Sequence, residues 1–267
     1  MIRILNSQFI ENYANVKMYG EDRYKLTSMH FYKVRGEDDP KLYTAKGEAG
    51  NETKLDNNIS RTKQRIYELA FCNPWEWFIT LTLAPNKYDR TDLPKFKKDF
   101  GQMIRDYRKK TSANIKYLLI PERHQDGSWH MHGFIYGLPL EELHKFTLDE
   151  HIPYRIRERI EQGVDVYTWK KYEQKFGYAV FEQICNHKAV SGYITKYVTK
   201  DTMRTITELN AHAFYASKGL NSAEVIHQGT LEKAIDNPDF YGDYVCTKWF
   251  GDVFEALTHF TEEAECT

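Results

Sequence analysis

Two histidines one residue apart are the first feature of this sequence that could do chemistry. They are His130 and His132, in the stretch SWHMHGFIYG, which otherwise has the composition of a buried strand. Successive side chains of a strand point to opposite faces, so the two imidazoles share one face and Met131 takes the other. The pair is therefore either two half-buried, hydrogen-bonded histidines or part of a metal site, since neutral imidazole is a common ligand. A third ligand would decide between the two.

Glu122 is the candidate third ligand, and the turn before the histidines decides whether it can reach them. IKYLLIPE and SWHMHGFIYG are predicted to form a hairpin around RHQDG. A two-residue loop, residues 126–127, would place Glu122 across from Met131. A three-residue loop, residues 125–127, closed by a left-handed glycine, would place it directly across from His130. Side chains in such a pair are roughly 5 Å apart at Cβ, within reach of one ion.

The three-residue loop would assemble a mixed nitrogen and oxygen triad from Glu122, His130 and His132. Such a site suits Mg²⁺ or Mn²⁺ acting on a phosphate at least as well as Zn²⁺. In the other register Glu122 is a solvated residue at the mouth of a loop, and the histidines lack a carboxylate.

The second unusual stretch is YITKYVTK, which repeats the pattern Tyr-x-x-Lys. A continuous helix is predicted from about His187 to Lys200, and at 100° per residue it places Tyr193, Lys196, Tyr197 and Lys200 on one stripe. Tyrosines four residues apart often form a packing pair, with lysines lying alongside. The same pattern also places an ammonium beside each phenol, which would favour phenolate, the nucleophilic form, and we expect both tyrosines to act.

The surrounding elements predict an α+β fold: one antiparallel sheet with helices packed on one face. WEWFITLTLAP, YAVFEQI and HAFYAS indicate strands, and RTKQRIYELAF and LEELHKF indicate helices. DLPKFKKDFGQMIRDYRKK indicates a further helix capped by Asp92, with apolar residues at helical spacing and an excess of bases suited to phosphates. Residues 36–60 are polar and rich in Gly, Asp and Asn, which predicts a loop or linker.

Charge is unevenly distributed along the 267 residues, whose net charge is −1. Residues 232–267 carry a net charge of −7, so residues 1–231 carry +6. This asymmetry is typical of nucleic-acid binders, although an acidic segment can also be an ordinary solvated terminus. The four scattered cysteines exclude a disulfide framework or zinc-thiolate pattern, and neither a signal peptide nor a membrane-spanning run is visible. We therefore expect a cytoplasmic protein, without a membrane partner.

Three stretches together resemble the motifs of the HUH endonucleases, particularly rolling-circle replication initiators of bacteriophages and plasmids. FITLTLAP is similar to the first motif, PERHQDGSWHMHGFIYG to the second, and YITKYVTK to the third in its two-tyrosine form. The resemblance covers roughly residues 75–216. It implies a ferredoxin-like sheet with a central metal site, preceded by an N-terminal extension and linker (residues 1–65) and followed by an acidic C-terminal extension (residues 221–267), with residues 66–220 as the endonuclease domain.

The resemblance implies nicking and rejoining of single-stranded origin DNA. Glu122, His130 and His132 would hold Mg²⁺ or Mn²⁺, and Tyr193 or Tyr197 would form a 5′-phosphotyrosine. With no GxxxxGK[ST] in the sequence, unwinding would come from a host helicase, and a host DNA polymerase would extend the 3′-OH in the cytoplasm of a bacterial host. An HUH transposase, a relaxase and a non-catalytic DNA-binding regulator with the same fold remain alternatives.

Overall fold

The computed structural model describes residues 8–34, 52–208 and 212–260. The chain divides into two compact units, each described by itself: a central unit, Thr44–Asn221, and a terminal unit formed by Met1–Tyr43 and Ser222–Thr267. Among the described residues, no helix is both long and apolar enough to cross a membrane.

The β-strands and helices of the described residues are numbered in chain order. The strands are β1 (Gln8–Tyr19), β2 (Arg23–Val34), β3 (Trp77–Leu83), β4 (Lys116–Arg123), β5 (Trp129–Tyr136), β6 (Leu143–Lys145), β7 (Val166–Trp169), β8 (Gly177–Gln183), β9 (Tyr215–Ala216), β10 (Glu224–Thr230), β11 (Phe240–Tyr241) and β12 (Val245–Phe250). The α-helices are α1 (Glu52–Phe71), α2 (Leu93–Thr111), α3 (Tyr154–Glu161), α4 (Lys170–Lys175), α5 (His187–Tyr193), α6 (Lys200–Glu208) and α7 (Val253–Leu257). Short 3₁₀ helices span Leu140–Glu142 and Ile194–Tyr197.

The central unit is built on an antiparallel sheet with the strand order β6-β7-β8-β3-β5-β4-β9. Strand β3 lies in the middle, where its residues alternate between buried and half-buried positions, as the sequence FITLTLAP predicts. The four central strands, β8-β3-β5-β4, are all joined by antiparallel pairing. The predicted α+β class is confirmed.

Helices pack on both faces of this sheet, which corrects the prediction that they would lie on one face. The first core holds the buried residues of α2 and α4 against one side of β3 and β5, including Ile79, Phe96 and Phe176. The second core holds α1 and the segment after α5 against the opposite side, including Ile66 and Ile194. The prediction missed the second layer because no local pattern placed α1 and the 194–198 segment against the sheet.

Helix α2 is formed as predicted. The Asp92 side chain accepts a hydrogen bond from the backbone N–H of Lys95, 2.9 Å away, which satisfies one of the free donors at the start of the helix. Its buried residues follow helical spacing and join the first core. The basic residues of α2 therefore belong to the layer opposite the histidines.

Three segments differ from their predicted structure. Helix α1 begins at Glu52, inside the predicted linker, of which residues 36–51 lie outside the described residues. LEELHKF forms a 3₁₀ turn and the short strand β6 rather than a helix, because β6 pairs with β7. The last predicted strand is only two residues long.

The terminal unit joins the two ends of the described chain in one antiparallel sheet, ordered β10-β1-β2-β12-β11. Strand β1 pairs with β2 and β10, and β2 also pairs with β12. A small core that includes Val16, Leu26, Phe250 and Phe260 supports it. Segments assigned from the sequence to separate N- and C-terminal extensions thus share a sheet.

Candidate active site

The hairpin register that the candidate site requires is present. Glu122 pairs with His130, and a backbone hydrogen bond closes the loop: the N–H of His124 donates to the carbonyl of Ser128, 2.8 Å away. The loop therefore consists of residues 125–127, and Gly127 has a φ of 80°, the left-handed conformation that favours glycine. The prediction of a three-residue loop is confirmed.

Cross-strand pairing brings the candidate residues to one face of the sheet, which we call the histidine face. Thr82 of β3 pairs with His130, and Thr80 pairs with His132. The face lines an open cleft of about 810 Å³. The polar and aromatic groups of the cleft come from β3, β4, β5, β8 and the α5 region: Phe78, Thr80, Thr82, Glu122, His124, His130, His132, Glu182, Tyr193, Lys196 and Tyr197.

Each histidine is oriented by a threonine of β3. His132 Nδ1 lies 3.1 Å from Thr80 Oγ1, and His130 Nδ1 lies 3.3 Å from Thr82 Oγ1. Engaging Nδ1 leaves Nε2 of each ring as the nitrogen available to a ligand, the arrangement common in metal sites. The alternating threonines are visible in the sequence as a strand pattern, but that pattern did not predict their contacts with the histidines.

Both histidines are held in the neutral form. Burial, assisted by the neighbouring His124 and His132, lowers the pKa of His130 to about 4. Burial also lowers the pKa of His132, although Glu122 opposes this shift. Neutral imidazole is the form that binds metal ions, so the electrostatics of the site suit ligation.

Glu122 and His132 fit a shared ion better than His130 does in this arrangement. Glu122 Oε2 lies 2.8 Å from His132 Nε2, close to the separation of about 3 Å expected for neighbouring ligands of an octahedral ion bound at about 2.1 Å. The rings of His130 and His132 are centred 6.5 Å apart, and His130 stacks on His124 at 3.8 Å. In the described part of the chain, no three His, Cys, Asp or Glu side chains converge closely enough to hold a metal as they stand.

The predicted tyrosine helix is broken, which corrects the expectation of a continuous helix to Lys200. Helix α5 ends at Tyr193, a 3₁₀ turn covers Ile194–Tyr197, and α6 begins at Lys200. Thr199 caps the new helix: its hydroxyl accepts a hydrogen bond from the N–H of Thr202 at 3.1 Å. The single stripe that placed Lys200 beside Tyr197 is therefore wrong, and Lys200 forms an ion pair with Asp56 of α1 at 2.9 Å.

The two tyrosines have different environments although both line the cleft. Tyr197 is only 8% exposed, and its ring stacks on His132 with the centroids 4.0 Å apart and the planes 6° from parallel. Tyr193 is 49% exposed and makes an edge contact with Phe78. Lys196 lies between them, with Nζ 3.5 Å from the ring centroid of Tyr193 and 4.8 Å from that of Tyr197.

These environments shift the two phenols in opposite directions. Hydrogen bonding by Lys196, with a smaller contribution from Tyr197, lowers the pKa of Tyr193. Burial, followed by the effect of Tyr193, raises the pKa of Tyr197. Tyr193 is therefore the phenol that ionises more readily and the one that a large substrate can reach.

Helix α3 contributes two arginines to the cleft that the sequence analysis did not single out. Arg155 and Arg159 lie one turn apart on its cleft side, and Arg159 forms an ion pair with Glu182 of β8. The available signal was the basic, polar run RIRERI. Because α3 buries no residue completely, hydrophobic periodicity could not place it.

Comparison with protein families gives one match. Residues 76–202 match the model of the family described as replication-associated protein ORF2. The matched segment contains β3, the hairpin with Glu122 and both histidines, and the two tyrosines. No curated protein and no solved structure matches the chain significantly. The family match supports a replication initiator.

Proposed function

We propose that this protein is a rolling-circle replication initiator of the HUH type that nicks and rejoins single-stranded DNA at an origin. The observation that carries the proposal is the position of Tyr193, a reachable phenol with a lowered pKa, in the same cleft as Glu122, His130 and His132. A nucleophile and a candidate metal site in one cleft are the parts required for phosphodiester cleavage. The family match to replication-associated proteins independently supports the same process.

The candidate metal ligands are Glu122, His132 and His130, with Mg²⁺ or Mn²⁺ as the ion. When bound, the ion would polarise a non-bridging oxygen of the scissile phosphate. Thr80 and Thr82 hold the Nδ1 atoms and so direct Nε2 of both histidines into the cleft. His130 would have to leave its stacking contact with His124 to complete the set, whereas Glu122 and His132 are already adjacent.

The covalent step follows from the contacts of the first phenol. Tyr193 Oη attacks phosphorus as the phosphorus–O3′ bond breaks, which gives a 5′-phosphotyrosine and a 3′-OH after protonation of the leaving oxygen. Lys196 lies against Tyr193 and stabilises the phenolate. The 3′-OH would prime a host polymerase, and reversal of the same reaction would rejoin the strand.

Tyr197 is proposed as the second nucleophile, used after the first tyrosine is occupied. Its ring is centred 6.1 Å from that of Tyr193, so both could serve one metal site. Its raised pKa and its stacking on His132 make it the weaker nucleophile in this arrangement. It would have to leave this stack in order to attack. A catalytic role for Lys200 stays a prediction, since the break after Tyr197 removes the geometric reason for it.

The strand and helix order supports the rest of the proposal. The central unit follows the order β3, α2, β4, β5, α4, β8, with the sheet order β8-β3-β5-β4, as expected for a ferredoxin-like core. We propose single-stranded origin DNA as the partner, a host helicase and polymerase as collaborators, and the cytoplasm of a bacterial host as the location. A transposase or relaxase of the same superfamily would use the same chemistry on a different substrate.

A non-catalytic DNA-binding regulator is the rival from another class, and a covalent-adduct assay distinguishes it. The protein is incubated with Mn²⁺ and single-stranded oligonucleotides tiled across candidate origins, and the adducted peptide is mapped by mass spectrometry. We expect an adduct on Tyr193, a reduction of at least about tenfold in Tyr193→Phe, and little change on a first cut in Tyr197→Phe. The double variant should form none.

The controls separate chemistry from binding. An adduct that persists in the double variant would assign the nucleophile to another tyrosine. Absence of adduct from the wild-type protein with every oligonucleotide, together with sequence-specific binding, would favour the regulator.

A further inference from the structure

The β8 side of the cleft carries an exposed aromatic ring that the proposed chemistry does not use. Tyr178 pairs with Thr82, which in turn pairs with His130. Directly opposed residues of an antiparallel sheet share a face, so Tyr178 lies on the histidine face, two strand spacings or about 10 Å from His130. It is 62% exposed, while the residues on either side of it, Gly177 and Ala179, are buried.

The exposure of Tyr178 is unusual for its position. The residue occupies the face of a central sheet strand, where tyrosines normally bury their rings. Further along the same strand, Val180 and Glu182 line the cleft, whereas Tyr178 lies just outside the cleft lining. The ring is thus an open aromatic surface next to the place where the scissile phosphate would lie.

The arginines of α3 lie beside the same strand. Arg155 and Arg159 line the cleft together with Val180 and Glu182 of β8. Glu182 holds Arg159 in an ion pair, while Arg155 lies at an exposed position one turn earlier. A guanidinium group binds phosphate oxygens in a planar, two-bond geometry, so this wall of the cleft suits a negatively charged backbone.

We propose that Tyr178 and Arg155 form a nucleotide subsite in which a base of single-stranded DNA stacks on Tyr178 and Arg155 binds a backbone phosphate. An exposed ring beside a cationic groove is the arrangement with which proteins bind single strands without reading sequence. The inference rests on the proposed function, because it takes the strand in the cleft as the substrate.

Two oligonucleotides with equal numbers of phosphates test the stacking contact without knowledge of the origin. The probes are a 12-nucleotide oligothymidylate and an abasic 12-mer, both fluorescently labelled, and binding is measured by anisotropy without metal. Tyr178→Ala should weaken binding of oligothymidylate about 5- to 100-fold and leave binding of the abasic strand unchanged. Tyr178→Trp should restore the affinity.

Matched variants control for nonspecific effects. Tyr244→Ala removes a tyrosine that is 76% exposed in the terminal unit, and it should leave both affinities unchanged. Arg155→Gln should weaken binding of both strands and lower the salt slope of the binding constant by about 1. Arg105→Gln makes the same charge change on α2, on the opposite side of the sheet, and should have a smaller effect. Thermal melting would verify that each variant is folded.

The subsite and the nuclease can fail separately. If Tyr178→Ala weakened neither probe, or weakened both equally, the stacking subsite would be wrong even in an enzyme that forms the covalent adduct. If the probes behaved as expected but the wild-type protein formed no adduct, the binding subsite would stand and the nuclease would be rejected.

Discussion

Lys196 is the residue whose single charge acts on both phenols of the cleft. Its ammonium lies against the ring of Tyr193 and also within 4.8 Å of the ring centroid of Tyr197. The hydrogen bond that it makes lowers the pKa of Tyr193 and so favours its ionisation. Since the phenolate is the attacking form, this lysine should set the pH at which cleavage begins.

The pH dependence of adduct formation should therefore move when this charge is removed. Lowering of the Tyr193 pKa means that more phenolate is present at a given pH, so the rate should rise with pH and level off below the ordinary phenol range near 10. Lys196→Met should raise the pKa, shift the rising part of the profile to higher pH and slow the reaction at pH 7. Lys196→Arg keeps the charge and should shift it less. Single-turnover rates from pH 6 to 10 would measure this, and identical profiles for all three proteins would contradict it.

Thr80 should matter for metal affinity rather than for folding. Its hydroxyl lies 3.1 Å from His132 Nδ1, and outer partners of ligating histidines typically contribute about 10- to 100-fold in affinity. Thr80→Val, which preserves the shape but not the hydroxyl, should weaken Mn²⁺ binding by about tenfold, while Thr80→Ser should retain it. Titration calorimetry with Mn²⁺ on the DNA-free protein is the measurement. Equal affinity in both variants would show that the threonine does not orient the ring.

At the scale of elements, the approach of β5 to β4 is the tightest constraint on the hairpin. A Cβ added at Gly133, the residue after His132, would lie 1.9 Å from the carbonyl oxygen of Leu118. That contact is with backbone, so it cannot be relieved by rotating a side chain. The histidine face thus depends on the absence of a side chain on the opposite face of β5.

Gly133→Ala should destabilise the central unit strongly. Overpacking of this kind costs about 3 kcal/mol, and here a strand must move. Gly101→Ala is the matched control: it lies in α2, where the nearest contact of the added Cβ is a flexible arginine tip at 3.4 Å, and helix propensity favours alanine by about 1 kcal/mol. Chemical denaturation would measure both free energies of unfolding, and similar stability of the two variants would refute the close approach.

Local signals predicted the site better than they predicted its surroundings. The register of Glu122 and His130 depends on turn chemistry at Gly127, which a short sequence contains. The break after Tyr197 also had a local signal, since β-branched residues precede the capping Thr199, but the tyrosine spacing suggested a continuous helix. The placement of α3 and the pairing of β1 with β10 depend on long-range contacts that no local pattern encodes.

At the scale of the whole molecule, the uneven charge predicts how binding depends on salt. Residues 1–231 carry +6, so binding of single-stranded DNA should weaken steeply as salt rises, because bound counterions are released from the backbone. Removing residues 232–267 would be a poor test of the acidic segment, since β11 and β12 lie within it and β12 pairs with β2.

Removing only residues 261–267 tests the acidic segment more cleanly. The deletion takes away three acidic residues and leaves the described strands in place. Affinity for oligothymidylate should stay equal or increase, as measured by anisotropy between about 50 and 300 mM salt, across which the Debye length falls from roughly 14 to roughly 6 Å. A marked loss of affinity would assign this segment to the binding surface.

The sheet shared by the two ends of the described chain also has a consequence for synthesis on the ribosome. The β1–β2 hairpin is made first, but its neighbours β10 and β12 follow only after the whole central unit has been translated. At roughly 5–20 residues per second, the hairpin waits on the order of 10 to 40 seconds with both of its edges unpaired. During that interval the nascent chain can complete its central unit, while the hairpin is open to chaperones or to the hairpins of neighbouring chains on the same messenger RNA.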